Sequence, residues 1–243
     1  MIQTLEALQA GELLGSKRLK LACGLTKFPE EIFSLHETLE ILDLSDNQLT
    51  HLPENIKELK KLKIIFFARN CFTEFPLVFK DCLSLSMIGF KSNQISEVPE
   101  DAFPPVLNWL ILTDNKISKL PKSIGDCHLL QKCALAGNLI TELPQEMENC
   151  VKLELLRVSA NQLTTIPQWL LELPRLSWFA FGGNPVSSDF ELTSDLELFD
   201  WDDFSIKELL GEGASGMISK AYWKQRNEEV AIKVFKGSVT SDG

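Results

Sequence analysis

No stretch of this chain is apolar over the roughly 20 residues that a membrane-spanning helix requires. The first residues also lack the basic start and greasy centre of a secretory signal, because Glu6 and Glu12 interrupt them. No C-x-x-C pair occurs, and the three histidines (His36, His51, His128) lie scattered, so no metal site is expected. Positive charge is short as well. Twenty-four Lys and Arg against 34 Asp and Glu leave a net charge of -10. A protein that follows nucleic-acid phosphates would want a basic stripe instead. These absences exclude nucleic-acid and membrane partners and lead us to expect a cytoplasmic protein. What remains, 44% hydrophobic and 24% charged, is the composition of a folded globular chain.

The organising stretch is Leu39 to Pro53, Leu-Glu-Ile-Leu-Asp-Leu-Ser-Asp-Asn-Gln-Leu-Thr-His-Leu-Pro, of the form L-x-x-L-x-L-x-x-N-x-L-x-x-L-P. Its frame returns at Leu62, Leu85, Leu107, Leu130, Leu153 and Leu176, in steps of 23, 23, 22, 23, 23 and 23 residues. The asparagine keeps register as Asn47, Asn70, Asn93, Asn115, Asn138, Asn161 and Asn184. Spacing by two puts Leu42 and Leu44 on one inward face of a short strand. The asparagine amide sits at the turn, where it can serve backbone groups that otherwise lack partners. Ile56 with Leu59, Phe79 with Cys82, Ile124 with Cys127, Met147 with Cys150 and Leu170 with Leu173 complete the return limbs. Cys82, Cys127 and Cys150 thus fill a leucine slot, and Cys133 replaces the equivalent of Leu42. They read as small apolar core residues, not disulfides.

This frame resembles the leucine-rich-repeat family over about the first three-quarters of the chain. One repeat cannot bury its own apolar face, whereas stacked repeats can. The resemblance implies an α/β solenoid: parallel strands along a concave wall, with short helical or irregular segments outside. The first repeat is irregular, with Cys23-Gly24 where the asparagine belongs, and the fourth carries Pro104-Pro105 and one residue fewer. The predicted organisation is a capping helix over 1–15, with Ile2, Leu5, Leu8 and Leu13 near helical spacing, and about eight repeats over 16–186. An acidic linker follows at 187–203, with seven acidic residues and no basic one.

From Phe204 the pattern changes. Gly211, Gly213 and Gly216 form G-x-G-x-x-G, a motif shared with dinucleotide-binding folds, where the glycines open a helix. Here Met217 to Trp223 is followed by polar Lys224 to Glu228 and then by Glu229-Val-Ala-Ile-Lys233-Val-Phe235. Glycine loop, hairpin and V-A-I-K in this order look like the opening strands of a eukaryotic-type protein kinase domain over 204–243. The resemblance implies an incomplete kinase N-lobe sheet that binds ATP, with magnesium in the intact kinase. The amides of Ala214 and Ser215 would face the phosphates. Leu210, Ile218 and Ala231 would roof the adenine, and Lys233 would pair with the α- and β-phosphates. No residue here matches the catalytic base or the metal-binding aspartate, so catalytic residues are expected to be absent from this chain and phosphoryl transfer by it alone is not expected.

The residues between the frame leucines face the concave wall. Ile41, Ile64, Phe66, Met87, Trp109, Ile111, Leu155 and Trp178 make an unusually apolar band there. Either the band captures a protein partner, the kinase lobe included, or its side chains lean on one another across neighbouring strands. Two functions stay open: a leucine-rich-repeat serine/threonine kinase, and a repeat-only interaction scaffold carrying an inert kinase remnant.

Overall fold

The computed structural model describes residues 3–188, 198–213 and 216–235 and divides into two compact units, Met1–Ser188 and Asp189–Gly243. In the first unit, eight three-residue strands form one parallel sheet in chain order. They are β1 (Arg18–Lys20), β2 (Ile41–Asp43), β3 (Ile64–Phe66), β4 (Met87–Gly89), β5 (Trp109–Ile111), β6 (Lys132–Ala134), β7 (Leu155–Arg157) and β8 (Trp178–Ala180). Register follows the repeat: Leu42 pairs with Ile65, Ile65 with Ile88, Ile88 with Leu110, Leu110 with Cys133 and Cys133 with Leu156. All six are fully buried, as are Leu39, Leu44 and Leu49. A strand residue points away from its neighbours, so the flanking positions are left for the opposite face of the sheet.

Most return limbs make one 3-10 turn, begun by the frame proline: Glu54–Glu58, Leu77–Asp81, Lys122–Asp126 and Gln145–Asn149. Proline fits there because its fixed φ suits the residue before the turn and its missing N–H is not needed. The limb after Pro167 is a short α-helix, α2 (Gln168–Leu171). The fourth limb, with its two prolines, makes no helical turn. Phe103 enters the core there instead, with its ring 5.4 Å from Phe75. Phe75 belongs to a cluster with Phe67, Phe72, Phe79 and Phe90, all buried, with ring centroids 4.9 to 5.9 Å apart.

The frame asparagines rivet the repeats together. Asn138 Nδ2 donates to Leu112 O in the preceding repeat and to Leu135 O in its own, both at 2.9 Å. Its Oδ1 accepts from Ile117 N at 3.1 Å. Asn70, Asn93, Asn115, Asn161 and Asn184 repeat the arrangement. Asn47 reaches into the irregular first repeat, accepting from the Cys23 and Leu25 amides. The residue before each asparagine is left-handed: Asp46, Arg69, Ser92, Asp114, Gly137, Ala160 and Gly183 have φ between 52° and 74°. This turn aims the amide into the stack.

At the N-terminal end, α1 (Leu5–Gln9) is capped by the Thr4 hydroxyl, which accepts from Ala7 N. Of the helix expected over 1–15, Leu5–Gln9 is helical and Gly11 leaves it at φ 76°. Met1 and Ile2 lie outside the described residues. Leu8 and Leu13 still bury into the first repeat.

The second unit is a three-stranded antiparallel sheet of β9 (Phe204–Gly213), β10 (Gly216–Trp223) and β11 (Glu228–Phe235), with β10 in the centre. Part of the expected linker belongs to it. Phe199 stacks edge-on against Trp223 at 4.6 Å, and the Lys224 amide donates to Asp203 O at 2.9 Å. Aromatic burial against Trp223 draws 198–203 onto the hairpin, while 189–197 lie outside the described residues.

Candidate functional site

The face of the parallel sheet opposite its core carries two rows of side chains, one on each side of the buried central residue of every strand. The first row runs Ile41, Ile64, Met87, Trp109, Lys132, Leu155, Trp178, each directly opposite the next. The second runs Asp43, Phe66, Gly89, Ile111, Ala134, Arg157, Ala180. Of the eight residues expected to receive a partner, Ile41, Ile64, Phe66, Met87, Trp109 and Leu155 are half-buried and Trp178 is 54% exposed. Ile111 is the correction: at 8% exposure it offers almost no area. Residues two apart on a strand share a face, so the bulk of Trp109 stands beside it on that side.

The wall differs along its length. Near its start, charges neutralise one another. Glu40 holds Lys17 at 3.3 Å and Lys63 at 2.7 Å, and Lys20 meets Asp43 at 3.1 Å. The two lysines hold the Glu40 carboxyl below its ordinary range, and Arg69 does the same for Asp46. Towards the other end, cations lie on aromatic faces. Lys132 Nζ stands 4.5 Å from the centre of the Trp109 ring, and the Arg157 guanidinium 5.6 Å from that of Trp178. The apolar band named from the sequence left both cations out of the site. The signal was available, because a step of one repeat sets Lys132 directly opposite Trp109.

In the second unit, the glycine hairpin joins β9 to β10. Gly211 pairs with Ile218, and Ile218 pairs with Lys233. Ala231 lies two residues from Lys233 and shares its face. The sheet therefore brings Gly211, Ile218, Ala231 and Lys233 to one side. Leu210 sits at a register irregularity between Ile218 and Ser219 and is 55% exposed. Gly213 pairs with Gly216 at the strand ends. Ala214 and Ser215, at the loop tip, lie outside the described residues. A Cβ built on Gly211 would meet nothing within 4 Å, and its φ is not left-handed. Neither packing nor backbone conformation requires glycine there. Further along the same face, Glu229 bridges Lys207 at 3.0 Å and Lys220 at 2.7 Å.

The six cysteines are all free thiols, and among the described residues no group of His, Cys, Asp and Glu could hold a metal ion. Among the same residues, no helix is long and apolar enough to cross a membrane.

A profile of the leucine-rich repeat matches residues 38–59. Mouse leucine-rich repeat and calponin homology domain-containing protein 1 is 30% identical over 130 residues, 52% of this chain and 18% of that protein. Human PH domain leucine-rich repeat-containing protein phosphatase 1 is 33% identical over 93 residues, 37% of this chain and 5% of that protein. The chain thus spans less than a fifth of the length of these relatives. Among solved structures, a Leptospira interrogans leucine-rich-repeat protein superposes with a TM-score of 0.67 at 27% identity, covering 73% of this chain and 45% of that one. The Drosophila Toll–Spatzle complex matches with a TM-score of 0.58 at 22% identity, over 71% of this chain and 25% of that one. The first unit is a leucine-rich-repeat solenoid.

Proposed function

We propose that the repeats form a protein-binding wall joined to the nucleotide-binding opening of a protein kinase domain, in a cytoplasmic protein that transfers phosphate from ATP to serine or threonine. The wall half of this reading draws on exposed Trp178 and half-buried Trp109, since tryptophan is enriched among binding hot spots. Two structures with this fold were solved as complexes, Toll with Spatzle and a plant peptide hormone receptor, RGFR1, with RGF2.

The kinase half rests on one observation: Lys233 lies across β10 and β11 from Ile218, which in turn lies across from Gly211. In a dinucleotide-binding fold a helix follows the glycines; here an antiparallel strand does, as in the kinase pattern. The empty space beside Gly211 suits a ligand that needs close approach to backbone. ATP would sit against this face, with Ile218 and Ala231 on its base and the Lys233 ammonium on its phosphates. When bound it supplies the phosphoryl group; magnesium ligands are not among the residues assigned here.

The test is titration of the full chain with a fluorescent ATP analogue and magnesium, for the natural protein and for Lys233→Met. Binding weakened about tenfold or more by the substitution supports the kinase half, because one charge-assisted phosphate contact is on that scale. Equal binding, or none by either protein, overturns it and leaves the repeats as an interaction scaffold.

A further inference from the structure

The two ends of the eight-stranded sheet are finished differently. In its interior each strand bonds forward to the next. Glu154 O accepts from Ser177 N and Trp178 N at 3.0 Å, and Val158 N donates to Ala180 O at 2.8 Å. Leu156, between them, lies opposite Phe179. β8 is the last strand, and one repeat on the same groups are Ser177 O, Phe181 N and the N–H and C=O of Phe179. Alternate residues of a strand turn these groups to alternate sides, so they meet no partner among the described residues. The side chains change in step. Leu156 and Val158 are fully buried, whereas Phe179 and Phe181 in the same slots are half-buried, with their rings stacked 5.0 Å apart. Of the seven regular frames, only the last, residues 176–184, carries no charged residue. At the opposite end stand Lys17, Arg18 and Lys20, and the Gln3 side-chain amide occupies the outer edge of β1.

We propose that this edge joins two copies of the chain, β8 against β8 in antiparallel register about a two-fold axis at Phe179. The inference rests on neither half of the function proposed above. The free groups are self-complementary in that arrangement. Phe179 exchanges both backbone bonds with Phe179 of the second copy, and Phe181 N donates to Ser177 O of the second copy, and the reverse. The remaining groups of that pair do not compete, because Ser177 N is held by Glu154 O and Phe181 O by the Asn184 amide. The axis also sets Phe179 opposite itself, where an aromatic pair is a favourable cross-strand neighbour. A head-to-tail contact, β8 of one copy against β1 of the next, would build an open filament instead. Gln3 already fills the β1 edge, and the basic residues beside it are of the kind that guards natural edges. The net charge of -10 does not prevent pairing, since at physiological ionic strength charges beyond about 8 Å are screened.

The full chain is followed by sedimentation equilibrium at physiological salt over about 1–300 μM, the range suited to a small interface. Average mass should rise from one chain towards two and stop there. Ser177→Lys with Trp178→Lys should weaken pairing about tenfold or more by charging the edge. Other repeats hold Lys63 and Lys132 at those two places, so the fold should accept both changes. Cross-linking reads the register. Residues that exchange both bonds across an antiparallel pair have Cα atoms about 5.5 Å apart, within reach of a disulfide. Phe179→Cys, in the slot that Cys133 fills, should link two copies under oxidised glutathione. Phe181→Cys, about 14 Å from its symmetry mate, should link no faster than the natural chain. A mass that stays at one chain throughout overturns the proposal. So does a mass that climbs past two, which marks a head-to-tail contact. Equal linking by the two cysteine variants, or a lysine variant that pairs as the natural chain does, overturns it as well.

Discussion

Gln3 and Lys20 are joined as two strands would be: the Gln3 side-chain Oε1 accepts from the Lys20 amide at 2.8 Å. Its Nε2 donates to Arg18 O, also at 2.8 Å. One side-chain amide thus stands in for a missing neighbouring peptide on the outer edge of β1. Unpaired strand edges invite association with other chains, and this one is closed without a further strand.

Replacing Gln3 by alanine should therefore cost about 1 kcal/mol, the usual net worth of such bonds, and act locally. The diagnostic measurement is amide hydrogen exchange. The Lys20 amide should exchange much faster in the variant, while the amide of Ile65, deep in the stack, should not change. Equal rates at Lys20 would show that the Gln3 contact adds no protection.

Asn161 and Ala160 should respond in opposite directions. Asn161→Ala leaves Ile140 N–H buried without its acceptor, while the carbonyls of Leu135 and Val158 lose one donor each and keep Asn138 and Asn184. For one unsatisfied buried group the loss should be about 1–3 kcal/mol. Ala160→Gly relieves a left-handed residue with φ 52°. That conformation costs an alanine about 1–2 kcal/mol, set against the extra entropy glycine loses on folding, so a gain of about 0.5–1 kcal/mol is expected. Denaturant midpoints of the two variants should move apart. A destabilised Ala160→Gly would show that the turn carries no strain.

The rungs were legible because each depends on a period. Leu42, Cys133 and Asn138 declare their places by recurring every 22 or 23 residues, and the structure puts them there. The left-handed turn before each asparagine was not legible, since only Gly137 and Gly183 of its seven residues are glycine. Elsewhere the stack imposes it: the Asp46 amide is held by Ala68 O at 2.9 Å and the Ala160 amide by Gly182 O at 2.8 Å. Gln3 was hidden because its partners lie 15 and 17 residues away and belong to no repeat. Exposure on the wall is a collective property. Nothing in a residue-by-residue reading separates covered Ile111 from open Trp178. On the hairpin, the order of glycines and lysine told the topology but not the irregularity at Leu210.

Gly125 is a position where one methyl group matters. The turns Lys122–Asp126 and Gln145–Asn149 approach so closely that a Cβ on Gly125 would lie 2.4 Å from the Glu146 carbonyl oxygen. Backbone, not a flexible side-chain end, stands in the way, so the two repeats would have to separate. Gly125→Ala should destabilise by about 1–3 kcal/mol, as overpacking does, although alanine is otherwise better in a helical turn. The same change at Gly182, where a Cβ meets nothing within 4 Å, should cost little. Thermal midpoints compare them, and equal effects would refute close packing at Gly125.

The buried thiols make stability depend on alkaline pH. Burial pushes Cys82 up to about 11 and both Cys127 and Cys150 up to about 12, and raises Cys133 further in the same direction. An unfolded cysteine ionises near 8.5. The folded values are raised, so the contribution is complete below the unfolded pKa and drains away as pH rises towards the folded ones. Each thiol should remove about 1.4 kcal/mol per pH unit above roughly 8.5. Denaturant unfolding at pH 8 and pH 10 should show a marked loss, and the slope should fall when Cys127 and Cys150 are both replaced by valine. Cys23 is exposed and should take a thiol reagent in the folded chain, while these four wait for unfolding. An unchanged slope in the valine variant would mean that other groups govern the alkaline loss. Prompt labelling of Cys133 would mean that the stack opens far more readily than its packing implies.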